Sequence, residues 1–201
     1  MNDVTPTHSA YLELLEERQG MGEGYQFLDE KRLVLAAEIL HELSRFEQTL
    51  PGFRSDYRRA GEALQAALSR HGLDGLEVYP RAESVVRNRE LTRRSVLGVQ
   101  LQDIRWTLGG QEVPPAVNRT PEADLCRDQF SRLVPEMVAL ASMTRNLERL
   151  REEYRRTARR ARALEDVLLP ELDKTLSELD SDLEELEREE AIRVRWSQPG
   201  E

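Results

Sequence analysis

The sequence predicts an all-α dominated protein: a long antiparallel two-helix coiled coil with a small middle domain containing a β-hairpin. Three observations predict it. Apolar residues recur at steps of three and four in the first and last thirds of the 201-residue chain. Charged residues make up 33% and aromatics only 5%, the composition of long helices rather than of a thick globular core. Between the two stripes lies a segment of glycines, prolines and β-branched residues. The expected division is residues 1–71, an N-terminal helix; 72–122, a hairpin and loops; and 123–197, a C-terminal helix.

In the first segment, Tyr11, Leu15, Leu28, Leu35, Ile39, Leu43, Phe46 and Leu50 share one helical face. The stripe thins at "QGMGEG", residues 19 to 24. Each interior glycine costs ~1 kcal/mol relative to alanine, so this turn is expected to be soft. Pro51 in "TLPGF" removes a helical hydrogen bond and predicts a kink or short break. Tyr57, Leu64 and Leu68 then resume the pattern.

"HGLDG" reads as a helix stop, its glycines suited to a left-handed cap. "LEVYP" and "SVV" are short and β-branched. "SVLGVQLQDIRW", residues 95 to 106, alternates in part, with Val99 and Leu101 pointing one way and Gln100 and Gln102 the other. "TLGGQEVPPAVNRTPEAD" is a loop with strong breakers. These signals together predict a hairpin, with room for a short helix.

"TPEAD" is a helix start, with proline and acids in the first turn. From it the stripe runs Phe130, Leu133, Met137, Leu140, Met143, Leu147, Leu150 and Tyr154, and on through Ala161, Leu164, Leu168, Leu172, Leu176, Leu179, Leu183 and Leu186. Steps of four from Leu164 to Leu176 form a stutter around Pro170. One narrow stripe on so long a helix needs an equally long partner. The N-terminal helix is the candidate, with the middle segment reversing the chain.

The formal net charge of −9 argues against a general nucleic-acid binder. The single cysteine, Cys126, forms no internal disulfide and fits a reducing compartment. No leader and no stretch near the ~18 apolar residues of a membrane span is expected. His8, His41 and His71 lie far apart, without metal-ligand spacing. "GMGEG" lacks the preceding strand and the lysine of a phosphate loop. "NRT" fits a glycosylation acceptor only in a secreted chain. The carboxylates of the last helix read as a solvated face, and Cys126, Met137 and Met143 as packing residues. The residues therefore predict no catalytic group, no cofactor and no metal, and hence not an enzyme. A stand-alone coiled-coil scaffold or adaptor is the alternative reading of the same pattern.

One ordered set of motifs is more specific. Arg159, Arg160, Ala161, Arg162, Ala163, Leu164 and Glu165 are followed by Leu169-Pro170, Thr175 and Glu187-Arg188-Glu189. This series resembles the C-terminal helix of the D subunit of the V-type and archaeal-type (V/A) rotary ATPases, with Arg162 in the place of that family's asparagine. Pro6-Thr7, "GYQFLDEKRLVL" at residues 24 to 35, and "VLGVQLQDIRW" are similar to its N-terminal helix and middle strand. The N-terminal helix differs in its acids Glu13, Glu16, Glu17 and Glu23 and in Gly20 and Gly22.

The resemblance implies a non-catalytic rotor shaft, transmitting torque between an ATP-hydrolysing or ATP-synthesising head and an ion-translocating membrane rotor. It implies a cytoplasmic protein that meets the membrane only indirectly. Its partners would be catalytic and non-catalytic head subunits, the small F subunit of the stalk and a membrane-rotor adaptor, with no nucleic acid. On this reading Lys31, Arg32, Arg159, Arg160, Arg162, Glu187 and Arg188 meet the head collar. Val99, Leu101, Ile104 and Trp106 meet the companion stalk protein or the rotor side. The basic band from Arg145 to Arg162 and the acidic band from Glu171 to Glu190 would face different collars along the shaft.

Overall fold

A computed structural model describes residues 6–79, 85–109 and 119–197. Helix α1 spans His8–Glu77, strands β1 Val85–Val96 and β2 Val99–Gly109 form a hairpin, and helix α2 spans Pro121–Ala163. A π-helical turn, Leu164–Leu168, leads into helix α3, Leu169–Ser197. The chain divides into two compact units, one of Met1–Val34 with Tyr154–Glu201 and one of Leu35–Glu153.

In the first unit, Thr7 caps α1: its hydroxyl accepts the Ala10 N–H at 3.2 Å. The start of α1 then runs antiparallel to the C-terminal helices. His8 Nε2 lies 3.4 Å from Glu187 Oε1, Arg18 Nε donates to Asp173 Oδ1 at 2.8 Å, and Glu165 is near enough to Tyr25 to push its hydroxyl up. The partner's number falls as the α1 number rises, which is the reversal that the two stripes require. Ala161, Leu176, Leu179 and Leu183 are buried, so the predicted seam holds there, while Leu168 and Leu186 lie outside it.

The stutter has a local form. The Leu169 N–H reaches back to the Leu164 carbonyl, one residue further than in an α-helix. The wider turn comes directly before Pro170, whose ring would crowd the preceding carbonyls in a regular turn. Widening the turn lets the proline pass without breaking the helix.

In the second unit, the expected break at Pro51 does not occur: α1 continues through it. Pro51 is exposed, so solvent reaches the carbonyl that its missing N–H leaves unpaired. The backbone departs instead at Gly72, with φ 67 and ψ 177, a conformation open to glycine but costly for other residues. Helix resumes to Glu77, so Leu76 and Glu77 of "LEVYP" are helical rather than extended. Burial past Pro51 also differs from the predicted stripe. Ala60, Ala63 and Ala67 are buried, and Tyr57 and Leu64 lie outside. The alanines are themselves spaced by three and four, and small side chains let a neighbouring helix come close. Leu133, Leu140 and Leu150 of α2 are buried as predicted, whereas Phe130 and Met137 are exposed. α2 also runs through a second proline, Pro135.

The segment 95–106, read as one strand, holds a turn. Leu97 (φ 46) and Gly98 (φ 89) are both left-handed, the pattern of a two-residue hairpin turn, and Val96 pairs with Val99. Residues 85–96, of which only the first two and the last two carried a predicted strand signal, form the other strand. Most of the predicted loop, residues 110–118, lies outside the described residues, as does Asn118 of "NRT"; Thr107 to Gly109 belong to β2.

Candidate interaction surfaces

Within the first unit, Arg159, Arg160 and Arg162 near the end of α2 are exposed. Among the described residues none of the three has an ion-pair partner. The other predicted collar residues are engaged within the chain. Arg32 Nη2 lies 2.5 Å from Asp29 Oδ1, Glu187 approaches His8, and Arg188 donates to Glu184 Oε2 at 2.7 Å. Lys31 is half-buried on α1. Large apolar side chains also face outward here: Leu12, Leu15, Phe27, Leu33 and Val34 on α1, and Ile192, Val194 and Trp196 near the end of α3, with Trp196 86% exposed.

Within the second unit, the hairpin is held to the helices by polar clamps. Asn146 of α2 is buried, and its amide is bidentate on β2. Its Oδ1 accepts the Gln102 N–H at 2.9 Å, and its Nδ2 donates to the Gln102 carbonyl at 3.1 Å. Arg149 Nη1 donates to the Gln100 carbonyl at 2.9 Å. On the α1 side, Arg94 of β1 reaches Glu38 and Glu42, both at 2.5 Å. Glu42 is fully buried and also accepts Arg45 Nη1 at 2.8 Å, while Arg45 lies 3.5 Å from Asp103 of β2. The hydrogen bond to Glu38 holds the Arg94 guanidinium above its ordinary value. A buried charge without partners would be costly, and here the opposing arginines offset that cost.

The four predicted hairpin contacts fall on two faces. Val99 and Leu101 are buried with Arg94 on the inner face, whereas Ile104 and Trp106 lie half-buried on the opposite one. Arg89, which pairs with Trp106, places its guanidinium 5.5 Å from the Trp106 ring. Alternation along a strand dictates the split: odd and even residues of β2 cannot serve one surface.

A third cluster joins the end of α1 to the start of α2. Tyr79 OH donates to Asp124 Oδ1 at 3.0 Å, Arg119 Nε to Asp124 Oδ2 at 2.6 Å, and Arg127 Nη2 to Asp124 Oδ1 at 2.9 Å. His71 Nε2 is 2.5 Å from Thr120 Oγ1. The Arg119 hydrogen bond, with those of its neighbours, holds the Asp124 carboxyl below its ordinary value, and burial pushes the Tyr79 hydroxyl up. Cys126 is half-buried, and burial pushes its thiol up as well, away from reactivity. Among the described residues no His, Cys, Asp or Glu side chains converge in a group that could hold a metal ion, and no helix is long and apolar enough to cross a membrane.

The clamp residues Asn146, Arg149, Glu38, Glu42 and Arg94 were not foreseen. An asparagine within an apolar helical stripe was the available signal, since a buried amide needs partners.

Comparison with known proteins bears on which class of partner these surfaces meet. A family model for the D subunit of ATP synthase matches residues 10–198. The chain is 26% identical over 193 residues to a V-type ATP synthase D subunit of Thermotoga neapolitana, covering 96% of this chain and 95% of that one. It is 29% identical over 202 residues to an A-type ATP synthase D subunit of Methanoregula boonei, covering 97% and 95%. An A-type ATP synthase D subunit of Methanopyrus kandleri is 28% identical over 198 residues, covering 97% and 85%.

Proposed function

The chain belongs to the ATP synthase D-subunit family, and from that premise we propose that it is the non-catalytic central-stalk shaft of a V/A-type rotary ATPase. It carries torque between the nucleotide-processing head and the ion-translocating membrane rotor. Its partners are head subunits, the small F subunit of the stalk and a membrane-rotor adaptor, and it meets the membrane only through that complex, on the cytoplasmic side.

The observation that carries this reading is the set of three exposed arginines, Arg159, Arg160 and Arg162, without ion-pair partners among the described residues, on a helix flanked by outward apolar residues. A rigid helix presenting arginines is suited to charge-assisted hydrogen bonds with a surrounding collar. Lys31, Arg32, Glu187 and Arg188 extend that contact. For Arg32, Glu187 and Arg188, meeting the collar means exchanging a partner within the chain for one outside it. On the hairpin, Ile104 and Trp106 form the contact toward the companion stalk protein or rotor side, and Val99 and Leu101 anchor the strand that presents them.

The test replaces Arg159, Arg160 and Arg162 together by alanine in the assembled complex, in vesicles, with hydrolysis and ion pumping followed side by side. Single changes at exposed pairs are worth ~1 kcal/mol or less, so the triple change is the informative one. Pumping is expected to fall more than hydrolysis. Unchanged coupling removes these arginines from the contact, and ATP hydrolysis by the isolated chain refutes the shaft reading.

A further inference from the structure

The two edges of the hairpin are treated differently. On β2, α2 takes up outward backbone groups at two residues: Asn146 holds both the N–H and the carbonyl of Gln102, and Arg149 holds the carbonyl of Gln100. Because both groups of Gln102 point away from β1, the antiparallel alternation fixes its opposite residue, Arg93. Arg93 points its own N–H and carbonyl away from β2. The same holds for Leu91 opposite Ile104 and for Arg89 opposite Trp106. On the β1 side nothing meets them: the sheet has two strands, and among the described residues no side chain or backbone group bonds to these outward groups. Residues 88–93 are all exposed, so both faces of the strand are bare as well as its edge. Proteins ordinarily cover or shorten such an edge.

We propose that the outer edge of β1 over residues 89–93 is a docking site for an extended acidic segment of a partner polypeptide, which adds to the hairpin as a third strand. Main-chain hydrogen bonds from Arg89, Leu91 and Arg93 supply the pairing, and side chains on the shared face supply the selection. That face reads arginine, leucine, arginine, with Trp106 and Ile104 beside them. An incoming strand puts every second residue on it, so the complementary segment is acid, any residue, apolar, any residue, acid. A second copy of this chain does not fit: antiparallel self-pairing centred on Leu91 sets Arg89 of one copy against Arg93 of the other, and like charges directly opposite are destabilising. The site rests on the hairpin's geometry alone and goes beyond the stalk reading.

The experiment titrates the full chain with the blocked peptide Thr-Glu-Thr-Leu-Thr-Glu-Thr and follows amide exchange by NMR. Binding is expected to slow exchange at Arg89, Leu91 and Arg93 by about tenfold or more, with the helices unaffected. Leu91→Pro removes one outward donor and no bond between β1 and β2, and is expected to weaken binding at least tenfold. Arg89→Glu with Arg93→Glu leaves the backbone untouched and is expected to abolish binding of this peptide while creating it for the lysine counterpart. It decides the matter if the proline variant fails to fold. Three results overturn the proposal: no protection at saturating peptide, equal binding of a peptide methylated on the nitrogens that face β1, or self-association of the unliganded chain through this strand.

Discussion

Replacing Asn146 by alanine tests whether the hairpin is held by hydrogen bonds or by apolar packing. The amide is 1% exposed and makes two bonds to one residue, at 2.9 and 3.1 Å to the Gln102 N–H and carbonyl. Each bond contributes about 1 kcal/mol net, and each backbone group left unpaired in a partly buried place costs about 1–3 kcal/mol. Gln102 is itself half-exposed, so water relieves part of that cost. The expected loss is therefore about 2–4 kcal/mol in the docking of β2 onto α2. At 1.4 kcal/mol per factor of ten, that is a rise of roughly 30- to 1,000-fold in the undocked population. The loss is local, because the helical seam does not pass through Gln102. Hydrogen exchange should accelerate across residues 99–105 while residues near Leu150 keep their protection. Asn146→Asp is the sharper variant, since it retains an acceptor for the N–H but sets a carboxylate against the carbonyl. A loss below about 1 kcal/mol, or faster exchange spread evenly over the unit, would refute the account and show that Val99 and Leu101 hold the hairpin by themselves.

Further outcomes follow from other parts of the chain. Gly20, Gly22 and Gly24 sit in continuous helix, and an added Cβ meets nothing within 4 Å at any of them. Changing all three to alanine should raise stability by about 2–3 kcal/mol, read from the urea midpoint; destabilisation would mean that these glycines serve a close approach. With Cys126→Ser as background, Arg18→Cys and Asp173→Cys should cross-link within one chain under a short bis-maleimide reagent, and a product of two chains would contradict antiparallel pairing. Asp124 ionises more readily folded than unfolded, because Arg119 and its neighbours favour the carboxylate. Its contribution is present above the ordinary carboxylate range and is lost as pH falls through its lower folded value. Asp124→Asn should flatten that part of the acid-unfolding profile, and an unchanged profile would show that the ion cluster is dispensable.

The two helices and their direction were legible because each has a local cause, apolar spacing and proline and acids in a first turn; the glycine of "HGLDG" takes φ 67, yet α1 resumes beyond it to Glu77. The hairpin turn was hidden by its composition. Its first residue is Leu97, at φ 46, where asparagine or glycine is the usual signal, so the strands on either side read as one. The partner strand was hidden because "NRELTRR" carries charge at most positions. Its extended form comes from pairing with β2 and from Arg94 reaching Glu38 and Glu42, not from its own propensity.

Periodicity belongs to the sequence: which segments are helical, which of their residues share a face, and which family's motifs stand in order along them. Which of those residues are used was settled by folding. A stripe cannot say how closely its partner comes, so Ala60, Ala63 and Ala67 rather than Tyr57 and Leu64 became the buried line. Nor can a set of charges say which meet. Glu42 became a fully buried hub between Arg45 and Arg94, while Arg159, Arg160 and Arg162 remained on the surface. The difference is one of range. Helix formation depends on neighbours a turn away, whereas burial and ion pairing depend on residues as far apart as His8 and Glu187 that the folded chain brings together.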